Sequence, residues 1–403
     1  MISPEEAWAR LEPHLAPLPE ESVARRAALG RVLARPLAAR VDVPALDVSA
    51  MDGYALAGAA EAGEQLPVVG TVAAGDPPGL ALLAGTAARV MTGAPLPAGA
   101  DRVVQVEQTD GGRDVVALGA APAAGEHVRR RGEVLRAGDE LLPAGALLTP
   151  GALALLATHG YGELPVHRAP RVAVLATGDE LVPPEVEPPP GRLRDSNTDF
   201  LLAAGATLGL AFAPLGIVRD DAEALAAAIA RGLAESDVLL LCGGVSAGEF
   251  DLVEPALARL GCRPLFDAVA VQPGKPLVAA VHDGGLVVAL PGNPAAVMVD
   301  FWLFVRPALR HLLGAADGYW HGALRGRLAA PLPRARGRTR YLPAEVTFAG
   351  GEIEVVPVPA KGSHDLAAYA RGTALVRVPA GAPPAEAGAP CEVLPLADWR
   401  AHS

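Results

Sequence analysis

DVLLLCGGVSAGEFD, residues 237–251, runs apolar from Val238 to Cys242, opens at Gly243-Gly244 and ends near two carboxylates, Glu249 and Asp251. Five consecutive apolar residues without polar alternation suit a strand buried on both faces, as in a parallel sheet covered by helices. Outward from it the pattern repeats: RVAVLA (171–176), AFAPLGIV (211–218) and LVVAL (286–290) read as strands. SNTDFLLAAGATLG (196–209), DAEALAAAIARGLAE (221–235), LVEPALARLG (252–261) and PAAVMVDFWLFVRPALRHLLG (294–314) read as helices. Strands alternating with helices predict a doubly wound α/β domain over residues 171–315.

The flanks differ. Ser3 with Glu6 forms a capping box and Pro4 fits the first helical position, so the first forty residues read as helical. Residues 41–136 hold short Val- and Leu-rich runs cut by Gly, Pro and Asp, a small β domain in which DGG (110–112) suggests a hairpin. It interrupts a helical domain that resumes over 137–170, where Thr149 caps and Pro150 begins a helix. Residues 323–403 return to short alternating runs, a C-terminal β domain. The expected fold class is therefore multi-domain, α/β plus β.

Composition narrows the function. The 403 residues carry 34 basic and 45 acidic side chains, a net charge of −11, which argues against a nucleic-acid surface. No apolar run reaches the ~18 residues of a membrane span, and the acidic start MISPEEAWAR does not resemble a secretory leader, so a cytoplasmic protein is expected. Cys242, Cys262 and Cys391 lack any metal-ligand spacing. Only Lys275 and Lys361 are lysines, both in glycine-bearing turns.

In such sheets ligands bind beyond the carboxyl ends of the strands. Four turns fall there: ATGDEL (176–181), CGGVSAGEFD (242–251), QPGKP (272–276) and PGNP (291–294). Gly243 and Gly244 allow backbone to approach an anion, Ser246 offers a hydroxyl, and Asn293 with Pro294 starts a helix. Lys275 can supply a point charge to phosphate. Glu180, Asp220, Glu249 and Asp251, if they converge, would repel phosphate unless a hard cation such as Mg²⁺ lay between. Bland readings compete: GDEL occurs twice, at 138–141 and 178–181, and neither GxGxxG nor a GxxxxGK[ST] loop is present. HVRRRGE (127–133) suits a solvated strand edge as well as an anion patch.

Ten strings, in order, resemble one family: SAMDGYA, RVMTGAPLPAGAD, VRRRGE, ATGDEL, RDSN, GIVRDD, CGGVSAGEFD, PGKP, LPGNPAAV and KGSH. It is the molybdopterin molybdenumtransferases, the bacterial MoeA proteins and the gephyrin E domain. The resemblance implies a four-domain homodimer that converts adenylylated molybdopterin and molybdate into molybdenum cofactor and AMP, assisted by Mg²⁺. It implies metal-holding roles for Glu180, Asp220 and Asp251, and a catalytic group of Asp52, Glu180, Asp251 and Lys275. Substrate-binding positions would be Thr92, Gly93, Ser196, Asn197, Gly243, Gly244, Ser246, Pro273, Gly274, Pro291, Gly292, Asn293, Pro294 and Ser363. Asp52 and Thr92 would arrive from the partner subunit. Val134 and Gln272 stand where the family usually has an acid and a cation, and its arginine near GRTRYLP matches either Arg338 or Arg340. The molybdopterin adenylylation step and a non-enzymatic scaffold are the alternatives; the first, as a fused domain, would need a second GGVS, and only one is present.

Overall fold

In the computed structural model, residues 1–245 and 252–396 are described. The chain divides into two compact units, one of residues 1–23, 28–34 and 165–403, the other of residues 24–27 and 35–164.

The first unit is built on a six-stranded sheet. Its order is Phe212–Val218, Val172–Thr177, Val238–Cys242, Gly285–Leu290, Val278–His282 and Arg263–Phe266. The four strands expected from the sequence lie side by side and are parallel. All five residues of Val238–Cys242 are at most 1% exposed. Alternation sends Val238, Leu240 and Cys242 into one core and Leu239 and Leu241 into another. Each face therefore needs its own helices. Leu201 and Ala204 of Asn197–Thr207 cover the first, while Leu225 and Ile229 of Ala222–Glu235 cover the second.

Two strands were not expected. Val278–His282 runs antiparallel to both its neighbours, Gly285–Leu290 and Arg263–Phe266. Asp283 (φ 45°) and Gly284 (φ 81°) close its hairpin. Two successive positive φ angles are what a tight two-residue hairpin requires. The long helix after Gly285–Leu290 begins as Pro294–Asp300, widens into a π turn over Phe301–Val305 and continues as Arg306–Leu312. Pro307 lacks the N–H that would bond to the carbonyl four residues back, which accounts for the widened ladder before it.

The C-terminal strands close into a ring: Thr339–Ala349, Glu352–Pro357, Leu324–Leu328, Pro390–Pro395 and Ala374–Val378, which pairs back with Thr339–Ala349. Val271–Gln272 from the α/β region joins the start of Thr339–Ala349 in parallel, with Gln272 opposite Arg340. That pairing ties the QPGKP turn to the barrel.

Helix in the first forty residues is confined to Pro4–Leu11, followed by short 3-10 turns and the strand Glu20–Ala24. The expected cap does form: the Glu6 amide donates to Ser3 Oγ at 3.0 Å. Ala7, Trp8 and Leu11 then bury the helix against the α/β core.

The second unit centres on five strands in the order Arg102–Gln105, Gly53–Leu56, Ala87–Val90, Gln65–Val72 and Val115–Ala117. Apolar clusters occupy both faces. A Cβ at Gly53 would lie 1.9 Å from the Val104 carbonyl oxygen, so the close approach of these strands demands glycine. The DGG turn exists, since Asp110 Oδ1 accepts from the Gly112 and Ala117 amides. Across it Thr109 and Leu118 form the expected antiparallel pairing, with the Gly119 amide donating to the Gln108 carbonyl at 2.7 Å, while the longer strands Arg102–Gln105 and Val115–Ala117 lie at opposite ends of the sheet. The helix Pro150–Thr158 is capped as expected by Thr149, whose hydroxyl accepts from the Ala152 amide.

Candidate active site

The order of the parallel strands reverses between Val172–Thr177 and Val238–Cys242, and a crevice for ligands opens at such a switch point. Gly243 leaves its strand there with φ 94°, and a Cβ on it would lie 2.3 Å from the Thr177 carbonyl oxygen. Gly244 (φ 67°) is pressed against Val253 in the same way. The glycine pair thus serves packing and leaves bare backbone at the crevice. Ser246, Glu249 and Asp251, predicted to follow it, lie outside the described residues.

Asp220 is anchored on the other side of the switch. Thr177 Oγ1 donates to its Oδ1 and the Asp179 amide to its Oδ2, both at 3.2 Å. The exposed carboxylate of Glu180 folds back over Gly178, whose Cβ, were one present, would meet it at 2.7 Å. Both acids therefore stand on turns leaving adjacent strands. The other GDEL behaves differently, as a plain turn in which Asp139 accepts from the Arg136 amide.

Asn197, at the start of its helix, is tied to the PGNP turn, donating through Nδ2 to the Gly292 carbonyl at 2.9 Å. Ser196 occupies the N-cap place of its helix, but its side chain makes no cap bond. Asp195 caps instead, accepting from the Asn197 and Thr198 amides at 3.1 Å and from the Thr198 hydroxyl at 2.6 Å. Sequence reasoning passed over this 5% exposed acid. Its signal was Asp followed two and three residues later by helix-starting amides. Cys242 beneath it is no nucleophile, because burial first, and Asp195 second, push its thiol far up.

A second feature adjoins QPGKP. A cavity of about 330 Å³ is lined by Gln272, Pro273, Gly274, Lys275, Pro291, Asn293, Arg338, Arg340 and Ser363, among others. The Ser363 carbonyl accepts from the Ala295 amide at 3.2 Å, which joins KGSH to PGNP. Asn293 starts its helix with its backbone carbonyl alone, leaving its side chain to the cavity. Among the described residues, three cationic side chains and no carboxylate line this space. An anion is its natural occupant.

In the second unit, SAMDGYA and TGAPLP lie against each other. The Ser49 amide donates to the Ala94 carbonyl and the Gly93 amide to the Ser49 carbonyl, at 2.9 and 2.8 Å. Asp52 Oδ1 accepts from the Thr92 amide at 2.6 Å and hydroxyl at 2.9 Å. Those two bonds, the backbone one foremost, hold the exposed carboxyl below its ordinary range. Arg130 and Arg131 of HVRRRGE are paired with Asp47 and Asp42.

Comparison with known proteins covers the chain almost end to end. Residues 2–160 match the MoeA N-terminal region (domain I and II), 173–311 a probable molybdopterin binding domain, and 325–396 the MoeA C-terminal region (domain IV). The chain belongs to the molybdopterin molybdenumtransferase (MoeA) family. Among MoeA relatives, a molybdopterin molybdenumtransferase of Nostoc is 37% identical over 88% of this chain and 84% of its own. One from Staphylococcus aureus is 31% identical over 98% and 95%. A molybdopterin biosynthesis MoeA protein from Pyrococcus horikoshii, solved by crystallography, superposes with a TM-score of 0.83 at 30% identity, covering 99% of this chain and all of that one. The MoeA family name describes a transferase of molybdenum-cofactor biosynthesis, and the barrel-like C-terminal domain accords with that match.

Proposed function

We propose that the chain inserts molybdenum from molybdate into adenylylated molybdopterin and releases AMP, acting as a cytoplasmic homodimer. The cavity, lined among the described residues by three cations and no carboxylate, beside a crevice that carries an anchored acid, is the observation that best supports this reading. A pterin phosphate suits the cavity, and Lys275, Asn293 and Ser363 are assigned to hold it. Gly243 and Gly244 let the nucleotide side of the phosphoanhydride approach backbone, with Ser246 as a further donor. The neighbouring turns, Pro273-Gly274, Pro291-Gly292 and Pro294, shape the wall, and Ser196 with Asn197 positions the pterin.

Mg²⁺ fits the donors at the crevice. It takes one or two carboxylates together with phosphate oxygens, and Glu180 and Asp220 are oxygen donors on adjacent turns. Asp251 is the third assigned ligand, and no group of three acids or other metal-ligating side chains forms among the described residues. When bound, the ion would neutralise charge on the phosphate oxygens as the anhydride breaks. The protein's part is to fix these groups in place, more than to supply a nucleophile. Asp52, Thr92 and Gly93 are assigned to the molybdate or pterin end of a partner protomer's site. The four-domain division at residues 40, 137, 171 and 323 belongs to the same reading, as does handover of substrate by an adenylyltransferase.

The test is reconstitution. Product formed by the purified protein from adenylylated molybdopterin, Mg²⁺ and molybdate is expected to activate an apo-molybdoenzyme. Product that fails to activate it, although substrate is consumed, would reject insertion.

A further inference from the structure

Beneath the QPGKP turn lies an acid that the chemistry above does not use. Asp300 is fully buried, and neither of its carboxyl oxygens has a hydrogen-bond partner. It stands one helical turn beyond Ala296, a residue of the cavity wall, and so on the same face of Pro294–Asp300. Its carboxyl group lies flat against Gly274, where a Cβ would sit 2.2 Å from Oδ1 and 2.8 Å from Oδ2. Burial raises its pKa, and a neutral carboxyl group offers one O–H donor and one carbonyl acceptor. A buried polar group without partners is destabilising, a penalty that an apolar side chain in its place would not carry. Such a group calls for an explanation in function.

The turn above it is fixed at one end only. The Lys275 carbonyl accepts from the Val269 and Leu277 amides, both at 3.0 Å. The preceding peptide, from the Gly274 carbonyl to the Lys275 amide, makes no hydrogen bond to a described residue. Gly274 holds φ 113°, in a region that glycine alone enters freely, so this peptide can turn toward the carboxyl group.

We propose that Asp300 is a positioning residue for Lys275: when an anion fills the cavity, its carboxyl group bonds to the Gly274–Lys275 peptide and so sets where the lysine stands. This rests on the reading that the cavity takes a phosphate. The acid's carbonyl oxygen accepts from the Lys275 amide, or its hydroxyl donates to the Gly274 carbonyl. Either bond satisfies groups that are otherwise open, and either fixes the peptide that carries Lys275.

The test is a double-mutant cycle on the full-length protein. Inorganic pyrophosphate is titrated calorimetrically, and KM and kcat are measured with adenylylated molybdopterin. Asp300→Leu keeps the branched outline of the side chain but cannot hydrogen-bond. It is expected to weaken pyrophosphate binding about tenfold, the effect of one lost hydrogen bond, and to raise KM more than it lowers kcat. Asp300→Asn, which keeps a donor and an acceptor, should retain most of the affinity. In a Lys275→Ala background Asp300→Leu should cost little further, because the group that it positions is gone. Asp300→Ala adds no bulk and carries the same expectations should the leucine not fit. Wild-type affinity in the Asp300→Leu and Asp300→Ala variants, or an equal loss with and without Lys275, overturns the proposal while leaving the phosphate reading intact. If the wild-type protein turns over substrate but binds no pyrophosphate, the phosphate reading fails, and this proposal with it.

Discussion

The amide and the hydroxyl of Thr92 both donate to one oxygen of Asp52, Oδ1, across 40 residues of sequence. The arrangement leaves Oδ2 open and holds the carboxyl below its ordinary range, so Asp52 is ionised at neutral pH. Asp52→Asn is expected to lower turnover at least 100-fold while leaving the melting temperature unchanged, because the carboxylate is exposed. Thr92→Val keeps the amide bond and should lower turnover less, by about tenfold, the effect of one lost hydrogen bond. Steady-state rates and thermal melts of both variants check this.

Gly243→Ala should unfold the switch point locally. Its Cβ would lie 2.3 Å from the Thr177 carbonyl oxygen, and φ 94° disfavours any side chain. Overpacking costs ~1–3 kcal/mol and a left-handed backbone a further ~1–2 kcal/mol. A loss of about 2–5 kcal/mol in urea unfolding is expected. A loss below about 0.5 kcal/mol would show that the strands can separate there.

Asp300 supplies a pH signature. It is fully buried, neither oxygen accepts a hydrogen bond, and burial raises its pKa well above the ordinary carboxylate value. The folded state therefore holds a proton that the unfolded chain releases. This contribution is complete below the unfolded pKa and is lost as pH rises toward the folded one. Asp300→Asn cannot ionise, so its stability relative to wild type should improve from pH 4 to pH 7, by at most ~1.4 kcal/mol per pH unit. Calorimetric melts across that range test it; a constant difference would mean that Asp300 is ionised in the fold. A Cβ at Gly274 would lie 2.2 Å from Asp300 Oδ1, so the same acid lies directly beneath the QPGKP turn.

Much of this was legible in the sequence because continuous apolar strands admit few arrangements. Val238–Cys242 and the three strands parallel to it followed from periodicity, and Ser3 and Thr149 from capping chemistry. What escaped depended on pairing between distant segments. The hairpin at Asp283-Gly284 reads as a break in one long apolar run, and the closed barrel needs registers that no local pattern encodes. At the site, the glycine turns and Lys275 were visible from residue type alone. Asp195 was not, since its role depends on amides presented by the helix that it starts. The pairing of Gln272 with Arg340 likewise exists only once two distant segments meet.

Molybdenum insertion is tested first by AMP release from adenylylated molybdopterin by the purified protein in Mg²⁺, with and without molybdate. Release that depends on molybdate is expected. Binding without release in either condition would contradict it and indicate a scaffold or carrier; formation of the adenylylated species from ATP would place the protein one step earlier.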